Sequence, residues 1–162
     1  MTDHRIPTIL VIGVGNEFRS DDAVGLAAAR ALRSDEFEDV IVIETPGDNP
    51  ALMGSWEGFD RVIIVDAVCS GSPAGTIHRV NDSSLSLELE RFHSSHSYGV
   101  AETVRLAQKL GRMPKYLVLF GLEGAEFGFG QNLSSQVEAS LPVLVERIRD
   151  ELACVGGETG VS

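Results

Sequence analysis

Large aliphatic residues fall in four short blocks, separated by stretches with a different rhythm. Thr8–Ile12, Val40–Ile43, Arg61–Val68 and Tyr116–Phe120 are brief, mostly rich in β-branched residues, and continuous rather than alternating. That pattern marks strands covered on both faces, as in parallel sheets flanked by helices. Helical spacing appears between and after them, at Val24, Ala27, Ala28 and Ala31, at Val100, Val104, Ala107 and Leu110, and at Val137, Leu141, Leu144, Val145, Ile148 and Leu152. Ser20, Asp21 and Asp22 offer caps to the first of these helices, Gly111 closes the second, and Ser134 or Ser135 starts the third, Ser135 with Glu138 having capping-box spacing. Pro142 should bend that last helix. Lesser elements are a strand ending at Glu44, a short helix through Leu52 and Met53 capped by Asn49, a short strand over 76–80, loop or helix over 81–90, and a glycine-rich loop over 121–130. Strands alternating with helices predict a three-layer α/β/α sandwich with a mostly parallel, twisted central sheet and right-handed crossovers.

Length and composition narrow this picture. The 162 residues, 43% of them hydrophobic, suit a single domain over 1–162, with 1–7 and 156–162 as flexible ends. A formal net charge of -11 repels phosphate backbones, so no nucleic-acid partner is expected. The first seven residues lack the apolar core of a signal peptide, and no apolar run nears the ~20 residues needed to span a bilayer. The expected location is cytoplasmic, with no membrane insertion. Cys69 and Cys154 stand far apart, which indicates neither a zinc site nor a disulfide framework.

The candidate chemistry gathers where strands end. Gly13-Val14-Gly15 after the first strand suggests a dinucleotide site, and Glu44 sits near where a ribose-binding acid belongs. Two features oppose it: Phe18 stands where a small residue is needed, and Asp21 and Asp22 put negative charge where a pyrophosphate needs bare N–H groups. A non-enzymatic nucleotide or metal binder using the Gly13/Gly15 loop is therefore the alternative reading. Asp66 interrupts the third apolar block, which is costly unless it lies at the strand's carboxyl end with a partner. Asp22, Asp66 and His96, on three separate loops, form an open mixed oxygen and nitrogen set suited to nickel, iron, cobalt or zinc. Each has a plainer role open to it: Asp22 facing a helix dipole, Asp66 accepting backbone hydrogen bonds, His96 capping a helix. For Asp21, Glu17 and His93 the plainer, structural role is favoured. Ser94, Ser95 and Ser97 lack the sequence of a nucleophile elbow, so water is the expected nucleophile, with Asp22 first and Asp66 second as its base.

These residues together resemble a known family. Gly13-Val14-Gly15-Asn16, Asp21-Asp22-Ala23-Val24-Gly25, Val65-Asp66-Ala67, Pro73-Ala74-Gly75-Thr76, His96-Ser97-Tyr98-Gly99 and the stretch from Gly121 to Ser134 are similar, in that order, to the hydrogenase maturation endopeptidases. The resemblance implies an aspartic-type, nickel-recognising protease. Its substrate would be the large-subunit precursor of a [NiFe] hydrogenase, which loses a short C-terminal peptide once nickel is inserted. It also implies that Asp22, Asp66 and His96 are the metal-contacting residues, with nickel supplied by the precursor and another divalent ion able to sit in the isolated protein. Two stretches depart from the family pattern, Glu44-Thr45-Pro46-Gly47 and Glu123-Gly124, and both are expected to face the precursor.

Overall fold

A computed structural model describes residues 9–46, 51–81, 84 and 99–160, the side chains of 155–160 excepted. Its five strands are β1 (Ile9–Val14), β2 (Val40–Thr45), β3 (Arg61–Val68), β4 (Ile77–Val80) and β5 (Tyr116–Glu123). They form one sheet in the order β2-β1-β3-β5-β4, parallel except for β4, which runs antiparallel to β5 along the edge. The helices are α1 (Val24–Arg33), α2 (Leu52–Ser55), α3 (Val100–Leu110) and α4 (Ser135–Gly160).

Continuous burial along β1, β3 and β5 follows from helices on both faces. Leu10, Ile12, Val62, Ile64, Leu117 and Leu119 pack beneath α2 and α3. Their alternate neighbours Val11, Ile63, Val65, Val118 and Phe120 pack beneath α1 and α4. This is the expected α/β/α sandwich. Trp56, at the end of α2, is almost wholly buried and donates its indole N–H to the Arg112 carbonyl at 3.0 Å, tying α2 to the chain beyond α3. Gly111 closes α3 as predicted, in a left-handed conformation (φ 66°) that spares any Cβ penalty.

Several local expectations change. The buried face of α1 is Val24, Gly25, Leu26, Ala28, Ala29 and Leu32, with Ala27 and Ala31 only half-buried. In α3, Leu110 is exposed. β5 continues through Gly121 to Glu123, where a loop was expected, because Val68 at the end of β3 supplies pairing that far. Ser135 does not complete a capping box: its hydroxyl meets the Gln136 side chain, while the Ser134 carbonyl accepts the Glu138 N–H. α4 carries Pro142 inside it and runs to Gly160. Asn49 and nearly all of 81–90 lie outside the described residues.

Candidate active site

The order β2-β1-β3 reverses the direction of winding at β1, so the carboxyl ends of β1 and β3 border the crevice where open α/β sheets take their ligands. The chain leaving β1 makes a 3-10 turn, Ser20–Ala23, before α1 begins. No side chain caps this turn, contrary to the expectation for Ser20, Asp21 and Asp22. It is fixed by long-range backbone contacts instead. Ser20, at φ 51°, is a non-glycine in left-handed space. It is held there by its N–H to Gly130 O at 2.9 Å and its hydroxyl to Gly128 O at 3.0 Å.

The glycines around β1 serve close packing. A Cβ on Gly15 would stand 2.0 Å from the Asp22 carbonyl oxygen, and one on Gly25 would stand 2.3 Å from Val14 O and 2.4 Å from Val65 O. Thus Gly25 lets the start of α1 touch the backbones of β1 and β3 at once. Asp22 is thereby carried toward the end of β3.

Asp66 shares its side of β3 with Val62, Ile64 and Val68. It is 4% exposed, and Asp22 is 2% exposed. Among the described residues, the Asp66 Oδ1 atom has no hydrogen-bond partner. Burial raises the Asp66 carboxyl well above the usual carboxylate range, the nearby Asp22 charge pushes it further up, and the Ala67 N–H opposes both only in part. Two acids buried together call for a proton or a cation between them. An oxygen donor aimed into a dry, electronegative place fits a divalent ion. His96 and His93 lie outside the described residues; the helix that follows them, α3, starts on the face to which Asp66 belongs, Val100 and Ala101 packing in one cluster with Val68.

Three other acids near the strand ends have structural partners. Asp21 accepts hydrogen bonds from the N–H groups of Ala125, Glu126 and Ser134 and from the Ser134 hydroxyl. Glu17 pairs with Arg30 at 3.2 Å at the surface. Glu44, the candidate ribose acid, is held by Arg30 and Arg33, each at 2.9 Å. A cleft of about 480 Å³ beside it is bordered by Gly15, Phe18, Leu26, Arg30 and Pro46. With its acid committed to two guanidiniums and its glycines to helix packing, the Gly13/Gly15 loop has none of the dinucleotide apparatus.

Glu123 corrects the reading that it faces a precursor. It is 2% exposed and accepts from Ser70 N at 2.9 Å, from the Ser70 hydroxyl, and lies 3.2 Å from His78 Nε2. It ties the chain after β3 to β4 and β5. Sequence reasoning missed the burial of this acid, which closes β5 two positions beyond the register of Asp66 in β3. An acid at such a position is therefore not by itself a sign of chemistry.

Comparison with known proteins identifies the family. The HycI family, hydrogenase maturation protease, matches residues 26–151. The chain belongs to this family. It is 32% identical over 158 residues to the hydrogenase expression/formation protein HupD of Thiocapsa roseopersicina, covering 93% of this chain and 70% of that one. To the hydrogenase 2 maturation protease of Escherichia coli it is 30% identical over 147 residues, covering 86% and 87%. The solved structure of the hydrogenase maturating endopeptidase HybD from E. coli superposes with a TM-score of 0.80 at 27% identity, covering 91% and 93%. As a hydrogenase maturation protease, the chain is a peptidase. No helix among the described residues is long and apolar enough to cross a membrane.

Proposed function

We propose that this protease removes a short C-terminal peptide from the large-subunit precursor of a [NiFe] hydrogenase, and that Asp22, Asp66 and His96 recognise the nickel the precursor carries. The observation behind this is the Asp66 Oδ1, which has no partner among the described residues and is buried next to Asp22 at the β1–β3 crevice. A carboxylate pair that is strained on its own gains most from a cation arriving with the substrate. Three ligands without cysteine make a modest site alone, so cleavage then depends on completed metal insertion. In the isolated protein another divalent ion can take the same ligands.

The ion in the precursor supplies Lewis acidity at the scissile carbonyl or an attacking water. The chain's own residues orient the bond and accept the proton of the water, since no Ser-His-Asp or Cys-His arrangement is apparent in the sequence. Asp22 is the better base, because it stands on a short turn, whereas Asp66 is fixed inside β3.

Incubation with nickel-loaded precursor should give a mass loss confined to its C-terminus, and nickel-free precursor should stay intact. Asp66→Asn and His96→Ala should abolish this cleavage while leaving cooperative unfolding in place. Equal cutting of nickel-free precursor would refute nickel recognition. Inhibition by a serine- or cysteine-directed covalent reagent would refute the water mechanism.

A further inference from the structure

The acid beside Asp22 accepts four hydrogen bonds, all from the chain between β5 and α4. We propose that Asp21 is a positioning residue: by anchoring the β5–α4 connection it fixes the turn that presents the Asp22 carboxylate to Asp66. This rests on the role given to Asp22 above.

Asp21 has no exposed surface. Its Oδ2 accepts from Ala125 N at 2.7 Å, Glu126 N at 2.8 Å and Ser134 Oγ at 2.8 Å, and its Oδ1 accepts from Ser134 N at 2.7 Å. Every partner is a donor, so only a carboxylate satisfies the pocket; an amide would aim an N–H at N–H groups. The backbone joins in, with Asp21 N donating to Glu126 O at 2.9 Å and Gly130 N to Phe18 O at 3.0 Å. Arg19 Nε reaches Phe127 O at 3.2 Å. The turn from Phe18 to Asp21 is thus stitched along its length to residues more than a hundred positions later.

Asp22 is the next residue, its own backbone closed inside the turn by Asp22 N to Arg19 O at 3.0 Å and Asn16 N to Asp22 O at 3.3 Å. The turn also contains the left-handed Ser20, a conformation that persists only where surroundings impose it. The bonds that hold Ser20 there come from Gly128 and Gly130, in the same connection that Asp21 anchors through Ala125, Glu126 and Ser134. Release of the anchor therefore displaces Asp22 without touching any group that meets the substrate.

The test is steady-state cleavage of nickel-loaded precursor by Asp21→Asn, Ser134→Ala and Asp22→Asn, at a temperature where circular dichroism shows each variant folded. Asp21→Asn should lower kcat roughly 10- to 100-fold, the scale of an ångström-sized misplacement, with KM within about twofold of wild type. Ser134→Ala, which removes one of the four bonds, should lower kcat less, also at constant KM. Wild-type kcat in folded Asp21→Asn overturns the proposal, and so does a raised KM with kcat unchanged, which would make the connection a docking element. Should Asp21→Asn fail to fold, Ser134→Ala decides alone, an unchanged kcat being the refuting result. Wild-type cleavage by Asp22→Asn would remove the role of Asp22 itself. An inactive Asp22→Asn beside a fully active Asp21→Asn removes only the anchor.

Discussion

Gly25→Ala puts a single methyl group where α1, β1 and β3 meet, and the sign of its effect discriminates between two roles for the glycine. An alanine Cβ would stand 2.3 Å from Val14 O, 2.4 Å from Val65 O and 2.9 Å from Val14 N. All three are backbone atoms of central strands, which cannot swing away as a side-chain tip can. Comfortable non-bonded contact begins near ~3.5 Å, so the start of α1 must lift by about 1 Å. Overpacking of this kind costs ~1–3 kcal/mol, and the upper end applies because two strands are struck at once. Alanine's better helix propensity returns at most ~1 kcal/mol. The net loss is about 2 kcal/mol, or a fall in Tm of about 4–8 °C for a chain of this size. Calorimetry or thermal circular dichroism reads it directly. Cleavage should suffer more than stability does, since the lifted helix start carries Asp22 away from Asp66. A glycine kept merely for flexibility predicts the opposite sign, so a Tm raised by the substitution would refute the close-packing argument.

Asp66→Asn should raise the Tm of the metal-free protein at neutral pH, measured in chelator, even though it destroys activity. The wild-type carboxyl has a raised value in the folded state, so its protonated form favours folding; the contribution of Asp66 to stability is fully present below the unfolded carboxylate range and is lost as pH rises through the folded value. A lower Tm for Asp66→Asn at neutral pH would contradict this. Tyr116, pushed up to about 12 by burial and by donating to Glu151 at 2.6 Å, should titrate late by ultraviolet absorbance, and its contribution to stability should fade between its unfolded value near ~10 and pH ~12. Tyr116→Phe should cost about 1 kcal/mol in denaturant unfolding; no loss would mean that Arg79 alone holds Glu151.

The strands were legible because burial on both faces leaves an unbroken apolar run, and Asp66 was legible as the break in one. Helix faces were read less well. The α1 stripe was displaced because its inner face includes Gly25, chosen for contact distance rather than for hydrophobicity. Glycine turns look alike in sequence whether they cradle a phosphate or admit a helix, and only the position of Val65 O behind Gly25 tells them apart. The partners of Asp21 lie 104 to 113 residues away, so no local pattern could show that this acid serves a distant loop while its neighbour faces the crevice. Glu123 was misplaced because its partner Ser70 belongs to another loop.

The strand order has a kinetic side as well. β5 is the last strand of the sheet to be synthesised, yet it lies between β3 and β4, both made earlier. Completing the sheet therefore requires an insertion rather than an addition at the rim, and until it happens one edge of β3, including Asp66, remains open to water and to stray pairing. Closure over such sequence distances is slow. A nascent chain released before residue 116 has every acid of the crevice but no dry setting for Asp66. The same open edge makes truncated chains the species most prone to aggregate.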